Sequence, residues 1–115
     1  MLSLPPSVKV FLCMTPTDMR RAFDGLAAMT TEVIGDDPLR GHLFVFCNRR
    51  KDRVKILYWD RSGYCPWYKR LEEGHFRMPS DEHLSSIEVE ASELMLLLEG
   101  IDLAGAKRHK RYRRA

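Results

Sequence analysis

The sequence has no apolar run of the roughly 18 to 20 residues that a membrane-spanning helix needs, and its start, MLSLPPSVKV, lacks the basic and apolar regions of a signal peptide. It has only three cysteines, an odd number without a CxxC pair, which argues against a disulfide framework. These absences predict a cytoplasmic protein without membrane contact. We expect Cys13, Cys47 and Cys65 to be reduced and to pack as small hydrophobic residues.

Motifs of catalysis and metal binding are missing as well. The four histidines share no metal-ligand spacing, and the sequence has no HExxH motif, no phosphate-binding glycine loop and no GxSxG motif. Acidic pairs occur at residues 72–73 and 81–82, but no motif places either pair to hold the divalent ions of a nuclease. We therefore expect a protein that is not an enzyme and that needs no metal and no cofactor.

Positive charge is concentrated at the end of the chain. The formal net charge is +3, but the last nine residues, KRHKRYRRA, contain six lysines or arginines and no acid. The preceding 106 residues therefore carry a net charge of −3. We predict a single domain over residues 1–106 and a disordered basic tail over residues 107–115 that contacts nucleic acid. A tail that only keeps the protein in solution is the alternative.

The hydrophobic pattern predicts an α+β fold with a curved antiparallel sheet, a meander of about five strands, on which helices pack. A long N-terminal helix is expected over residues 16–34, with Thr15 or Thr17 as its N-cap and Gly35 at its end. Gly25 would allow a close contact between this helix and the sheet. The other predicted elements are a short C-terminal helix over 91–101 and strands over 8–14, 43–48, 54–60, 64–71, 75–78 and 86–90.

The segment DRSG, residues 60–63, predicts a hairpin turn. Its composition favours a type I turn with Gly63 in the left-handed conformation, which pairs Asp60 with Tyr64 across a three-residue loop. A two-residue turn would shift the register by one residue. Pro66 lacks an amide donor, so the strand after the turn is expected at an edge of the sheet or to contain a bulge.

The predicted register brings two tryptophans to one face of the hairpin, flanked by lysines. This face would bind a nucleic-acid strand, with bases on the aromatic rings and phosphates between the lysines. In the alternative, the tryptophans belong to the core under a helix and the lysines lie at its rim. The opposing pairs on this face are Lys55 with Lys69, Leu57 with Trp67, and Trp59 with Cys65.

A basic cluster lies in and beside the polar turn NRRKDR, residues 48–53. Together with the tail it would form a surface that contacts phosphates if the two are neighbours, whereas a solvated hairpin tip is the alternative. The candidate residues for nucleic-acid binding are Arg49, Arg50, Lys51, Arg53, Lys55, Trp59, Arg61, Trp67, Lys69, Lys107, Arg108, Lys110, Arg111, Arg113 and Arg114.

Three segments of the chain are characteristic of a known family: PTDMRRAFDGL, GHLFVFCNRRKDRVKILYWDRSGYCPWYKRLEEGHFRMP and LLLEGIDLAGAKRHKRYR. From about Leu4 to Arg114, the chain resembles the TnpB-type accessory proteins, the second-frame products, of bacterial insertion sequences of the IS66 type. The resemblance implies a role in transposition beside a separate, larger DDE transposase, and it supplies no active site. Pro66 and Met78 depart from the family pattern, which puts the strand after Gly63 in question.

Two functions are compatible with these observations. The first is a non-catalytic accessory factor of transposition that binds DNA at the element ends through its basic residues. The second is a protein-interaction module that docks on the transposase through the hairpin or a strand edge, without binding DNA itself. An exposed strand edge would also allow homo-oligomers.

Overall fold

The computed structural model describes residues 5, 7–79, 81 and 83–100, which form an α+β fold. The predicted domain boundary at residue 106 and the basic tail lie outside these residues. A π-helical turn, Thr30–Ile34, extends the first helix, and a 3-10 turn, Pro38–Arg40, precedes the second strand. The elements in chain order are β1 (Val10–Cys13), α1 (Phe23–Met29), β2 (Leu43–Cys47), β3 (Arg53–Asp60), β4 (Gly63–Arg70), β5 (Ser86–Val89) and α2 (Ala91–Leu98).

Five strands form one sheet in the order β4–β3–β2–β1–β5. β1 and β2 are parallel, whereas the other three neighbouring pairs are antiparallel. The predicted α+β class is confirmed, but the prediction of a purely antiparallel meander is wrong for this one pair. The reason is the connection between β1 and β2, which crosses one face of the sheet as α1 and lets β2 start at the same end as β1.

The sheet lies between the two helices, and each of its faces has a hydrophobic core. On the first face, which we call the α1 face, Leu26 and Met29 pack with Phe44, Phe46 and Leu57. On the opposite face, which we call the α2 face, the helix α2 contributes three buried leucines. The buried residues of the α2 face are Val10, Leu12, Leu43, Val45, Cys47, Val54, Ile56, Phe76, Val89, Leu94, Leu97 and Leu98.

The first helix begins at Phe23 rather than at residue 16, so the predicted long helix is wrong in its first part. Its N-cap residue, Ala22, offers no capping side chain, and neither predicted threonine caps the helix. Instead, the Thr17 N–H donates to the Cys47 carbonyl over 2.9 Å, and the buried Thr17 hydroxyl donates to the Thr15 carbonyl over 3.2 Å. Because these bonds tie the segment to the end of β2, the helix starts only after it.

The end of this helical segment is confirmed. Gly35 has a left-handed φ of 80°, and its N–H donates to the Thr30 carbonyl over 2.9 Å. The expected contact between Gly25 and the sheet is wrong, because a Cβ added at Gly25 would meet the Arg21 side chain at 3.1 Å. Within the described ranges, neither helix is long and apolar enough to cross a membrane.

The predicted strand over residues 75–78 is not formed. This segment packs on the turn between β2 and β3: the Phe76 N–H donates to the Lys51 carbonyl over 2.6 Å, and His75 Nδ1 lies 2.8 Å from the Arg50 carbonyl oxygen. The Phe76 side chain is buried in the core of the α2 face. Burial of one aromatic ring therefore replaces the predicted strand pairing.

The β3–β4 hairpin has a two-residue turn, so the predicted register is wrong by one residue. Asp60 pairs with Gly63 and Trp59 pairs with Tyr64. The residue with positive φ is Arg61, at 54°, and not Gly63. A positive φ at the first central position matches the twist of the flanking strands, which favours a two-residue turn.

The shifted register separates the side chains that were predicted to share one face. Lys55, Leu57 and Trp59 belong to the α1 face. Trp67 and Lys69 belong to the α2 face, where Trp67 packs on the core. The two tryptophans therefore form no common platform. Trp67 packs on the core, as the alternative interpretation predicted.

Lys69 binds the end of α2, and Lys55 binds the segment that precedes α1. The Lys69 ammonium donates to the carbonyl of Leu98, the last residue of α2, over 2.8 Å. On the α1 face, the Lys55 ammonium donates to the carbonyls of Met19 and Arg21 over 2.7 and 2.9 Å. A cation at the end of a helix is favourable because the last carbonyls have no partner within the helix.

Pro66 lies in β4, an edge strand, as its missing amide predicts. Asp60 and Gly63 close a two-residue hairpin and are a hydrogen-bonded pair, so Leu57 and Pro66 form a non-hydrogen-bonded pair. The backbone nitrogen of Pro66 therefore faces away from β3, where an added strand would need a donor. Pro66 thus opposes pairing of a further strand with β4.

Cys13 and Cys47 are buried, which confirms their role as small core residues, and Cys65 is half-buried. Burial raises the pKa of the Cys47 thiol to about 11. It also raises the pKa of the Cys13 thiol. Both thiols are therefore protonated at neutral pH, and neither is an activated nucleophile.

Loss of the Lys69 bond should weaken the fold. Lys69→Met should lower the free energy of unfolding by about 1–2 kcal/mol, because it removes a charge-assisted hydrogen bond to the end of α2. Urea titration measures this difference. Lys9→Met is the matched control, because the Lys9 side chain is exposed and has no bond within the described residues. Equal unfolding free energies for the two variants would contradict the role of Lys69.

The turn of the hairpin allows a stabilising change. Arg61→Gly should raise the free energy of unfolding by about 0.5–1 kcal/mol, because glycine adopts a positive φ without the steric cost of a Cβ. Ser62→Gly is the control, since Ser62 has no positive φ and gains nothing to offset the greater freedom of the unfolded chain. Thermal unfolding compares the two variants, and a destabilised Arg61→Gly protein would speak against the two-residue turn.

Candidate nucleic-acid interface

A cleft of about 640 Å³ opens at the end of the sheet where the C-termini of β1 and β2 lie. Parallel strands end on the same side of a sheet. The segments that follow β1 and β2, residues 14–22 and 48–52, therefore lie side by side. The bond from the Thr17 N–H to the Cys47 carbonyl joins the two segments. We call this site the arginine cleft, and its charged lining residues are Asp18, Arg20, Arg49, Arg50, Asp52 and Arg53.

Asn48 shapes the turn that carries most of the arginines. Its Oδ1 accepts from the backbone N–H groups of Asp52 and Arg53, each over 3.1 Å. Its Nδ2 donates to Asp52 Oδ1 over 2.7 Å, and this bond is the main cause that lowers the pKa of Asp52. Lys51 completes the turn with a φ of 60°. The Asp52 carboxylate is thus bound to Asn48.

The second carboxylate of the cleft is also engaged. Asp18 accepts from the Arg20 guanidinium over 2.6 Å and from the Arg20 backbone N–H over 2.9 Å. The Arg20 side chain holds the pKa of Asp18 at about 2, well below its usual range. Both side chains are exposed to solvent, so the pair contributes little to stability. It places the Arg20 guanidinium beside Asp18 in the lining of the cleft.

Three arginines of the cleft form no ion pair within the described part of the chain: Arg49, Arg50 and Arg53. With four arginines and two aspartates, the lining has a formal charge of +2. A concave site of one charge sign attracts anions more strongly than a flat surface does. The planar guanidinium matches the oxygens of a phosphate group with two parallel N–H bonds. The cleft is therefore suited to phosphate.

The structure places the predicted residues at several sites. Arg49, Arg50 and Arg53 line the cleft, whereas Lys51 is exposed on the same turn outside its lining. Arg61 lies at the tip of the hairpin, roughly 25 Å along the strand from Arg53. The six basic residues of the tail lie outside the described residues: Lys107, Arg108, Lys110, Arg111, Arg113 and Arg114.

Asp18 and Arg20 are residues of this site that were not among the predicted ones. Both residues fall within the helix predicted over residues 16–34, whereas the structure places them before α1. No spacing in the sequence connects these residues with the basic turn, because the two segments meet only through the parallel pairing of β1 and β2. Pro16, in the segment PTD of residues 16–18, was the one available signal that the helix does not begin here. Because proline is also favoured at the first position of a helix, it fits a helix start equally well.

A second basic and aromatic region continues from the cleft on the α1 face of the hairpin. Arg53 lies directly opposite Arg70, which places two like charges in one cross-strand pair. Arg70 also contacts the exposed Glu72 over 3.4 Å. The next pair on this face is Lys55 and Tyr68, with the Lys55 ammonium 5.2 Å from the centre of the Tyr68 ring.

Further aromatic rings lie along this face. The Tyr64 ring stacks on the Phe23 ring with centres 6.3 Å apart and meets the Trp59 ring edge-to-face at 5.1 Å. Phe23 is 41% exposed and Tyr68 is 50% exposed, large fractions for such side chains. We call Phe23, Trp59, Tyr64 and Tyr68 the aromatic surface.

Neither helix offers a basic face. The only charged residue of α1 is Asp24, and the only charged residue of α2 is Glu93, which Glu90 and Glu99 flank. A helix that reads the major groove of duplex DNA needs basic or amide side chains on its outer face. In the part of the chain that the structure describes, the basic residues near the cleft belong to loops and strands instead.

The acidic and metal-binding residue types form no cluster in residues 5, 7–79, 81 and 83–100. No group of three or more histidine, cysteine, aspartate or glutamate side chains there could hold a metal ion. Glu72 and Glu73 are exposed in the turn after β4. This turn therefore shows no grouping that would bind the ions of a nuclease.

Comparisons with known proteins support one family. Two similar proteins come from Sinorhizobium fredii (strain NBRC 101917 / NGR234). The "Uncharacterized protein y4hO" is 39% identical over 102 residues, which are 89% of this chain and 88% of that protein. The "Uncharacterized protein y4jC" is 34% identical over 101 residues, 88% of this chain and 86% of that protein. No solved structure gives a significant match.

The family model of IS66 Orf2-like proteins matches residues 8–108. The matched region includes the two segments of the arginine cleft and the whole hairpin, and it confirms the resemblance found in the sequence. Proteins of this family are accessory to transposition and are generally non-catalytic. The chain therefore belongs to the IS66 Orf2-like family.

Proposed function

We propose that the protein is a non-catalytic accessory factor of transposition that binds DNA through the arginine cleft. The observation that carries this proposal is the convergence of four arginines, from two distant segments, on a cleft with only two carboxylates. Both carboxylates already have partners, Arg20 and Asn48. The cleft therefore lacks the negative charge that a DNA phosphate would supply.

Phosphate binding would also relieve repulsion beside the cleft. Arg53 lies in the cleft lining and directly opposite Arg70 on the next strand. Two like charges in a cross-strand pair are unfavourable in the free protein. A phosphate group between the two guanidinium groups would turn this repulsion into two attractive contacts. Arg70 contacts Glu72 in the free protein, but an exposed ion pair of this kind contributes little, so it does not remove the repulsion between the two arginines.

The basic tail would add its own electrostatic contribution. If its six basic residues all contacted duplex phosphates, they would add about −5 to the slope of log affinity against log salt. The three unpaired arginines of the cleft would add about −3 on the same basis. The two contributions can be separated because each can be removed by itself. We propose the element ends as the DNA partner and the transposase of the same element as the enzyme that acts there.

Docking on the transposase by strand addition is the alternative function. Such docking needs a row of free amide and carbonyl groups at a sheet edge. Pro66 removes a donor from the outer side of β4, and the other edge strand, β5, has only four residues. Pro66 interrupts the row of donors on β4 and β5 is short, so both edges are poor templates for strand addition. The arginine cleft favours DNA binding over this alternative.

Removal of charge from the cleft tests the DNA proposal. The double variant Arg49→Gln/Arg50→Gln of the full chain should bind element-end DNA roughly 10-fold more weakly and reduce the salt slope by about 2. Fluorescence anisotropy with a salt titration from ~50 mM upward measures both values. Arg40→Gln is the matched control, because Arg40 lies before β2 and hence at the opposite end of the strands from the cleft. It should change neither value.

The same titration distinguishes the cleft from the tail. A chain that ends at Ala106 should keep the part of the slope that belongs to the cleft. An unchanged slope in the double variant would contradict the cleft as the binding site. Binding that disappears only with residues 107–115 would assign DNA binding to the tail.

Copurification with the transposase tests the alternative. If the two proteins meet on shared DNA, nuclease treatment or high salt should each abolish their copurification, because both remove the phosphate contacts. An untreated sample is the control. A complex that survives both treatments would instead establish direct docking and would refute a purely DNA-mediated association.

A further inference from the structure

Two rings of the aromatic surface, Phe23 and Tyr68, are exposed, and Trp59 and Tyr64 are half-buried, although the surface belongs to a sheet face that a helix covers elsewhere. Helix α1 has only seven residues, and its buried residues pack on Phe44, Phe46 and Leu57, which belong to β2 and β3. On the outer strand β4, the side chains at positions 66, 68 and 70 are exposed. The helix therefore leaves the outer part of this face open.

The open part is continuous with the arginine cleft. Arg53 belongs to both, since it lines the cleft and forms the cross-strand pair with Arg70. The next pair on the same face holds Lys55 and Tyr68, roughly 7 Å further along the strands. A chain of nucleotides with a phosphate at Arg53 would therefore bring its next base close to Tyr68.

The Tyr68 ring is held in place before any ligand binds. The Lys55 ammonium lies over the ring, and its bonds to the Met19 and Arg21 carbonyls fix the ammonium. Half of Tyr68 remains exposed. Tyr64, two pairs further along the same face, carries the stacked Phe23 ring, which is 41% exposed. The face thus has two separate positions where a flat ring can stack.

We propose that the aromatic surface stacks unpaired bases, so that the DNA bound in the arginine cleft is single-stranded; this inference rests on the DNA-binding function proposed above. Bases within a duplex are stacked on each other and present no free ring face, whereas bases of a single strand can stack on tyrosine and phenylalanine. The helices are consistent with this substrate, because neither described helix carries a basic residue with which it could bind the major groove.

The test compares two DNA probes with equal numbers of phosphates, an oligothymidylate and a mixed-sequence duplex, by anisotropy with the full chain. Tyr68→Ala should weaken binding of the oligothymidylate by roughly 5- to 100-fold, because it removes one stacking position, and should leave duplex binding unchanged. Tyr68→Phe should retain binding, because it keeps the ring. Met95→Ala is the control for loss of an exposed apolar side chain, since Met95 lies on α2 away from this face.

A second measurement locates the bases directly. Ultraviolet crosslinking of an oligonucleotide that carries bromodeoxyuridine should attach the base to the β4 peptide that contains Tyr68. Tyr68→Ala and wild-type chains are compared by their melting temperature, so that a folding defect is detected.

The outcomes separate the two proposals. One result would be that Tyr68→Ala changes the affinity for neither probe, or for both equally, while the Arg49→Gln/Arg50→Gln variant weakens the binding of both. In that case the single-strand inference is refuted and DNA binding by the cleft stands. If the full chain binds neither probe at ~50 mM salt, where phosphate contacts are strongest, both proposals are refuted. A selective loss of oligothymidylate binding, together with a crosslink in β4, supports the inference.

Discussion

β1 and β2 run parallel, and this pairing requires the chain between them to cross one face of the sheet. The crossing puts α1 over the core of that face and brings residues 14–22 beside the turn at 48–52. In an antiparallel meander the two segments would lie at opposite ends of the strands. The arginine cleft therefore depends on one strand pairing, and Lys55 supports the cleft because its ammonium binds the carbonyls on both sides of Arg20.

Both helices are too short to be stable in isolation, since helices below about 12 residues gain too few hydrogen bonds to offset nucleation. Burial against the sheet and the hydrogen bonds of two lysines compensate for the low stability of the isolated helices. Lys69 caps α2, and Lys55 fixes the segment that precedes α1. Lys55 also lies at the junction of the arginine cleft with Tyr68 of the aromatic surface. A single side chain thus connects the stability of the fold with the geometry of the proposed interface.

The hairpin shows where inference from sequence fails. The composition of DRSG suggested that glycine takes the positive φ, yet Arg61 takes it and the loop is one residue shorter. Because side chains alternate along a strand, this difference of one residue moves Trp67 from the face of Trp59 to the opposite face. The segment at 75–78 shows a related failure: it has a strand pattern, but burial of Phe76 under the basic turn outweighs pairing.

The sequence by itself determined the α+β class, most of the strands, the end of the first helical segment at Gly35, the family, and the grouping of Arg49, Arg50 and Arg53. The family follows from the resemblance of three segments to known proteins, and the other features follow from local composition, alternation and proximity along the chain. Only the tertiary structure decided that β1 pairs parallel with β2, that Arg20 joins the arginine cleft, and which face each aromatic ring occupies. Strand partners and register depend on contacts between segments far apart in the chain, and local patterns carry no record of those contacts.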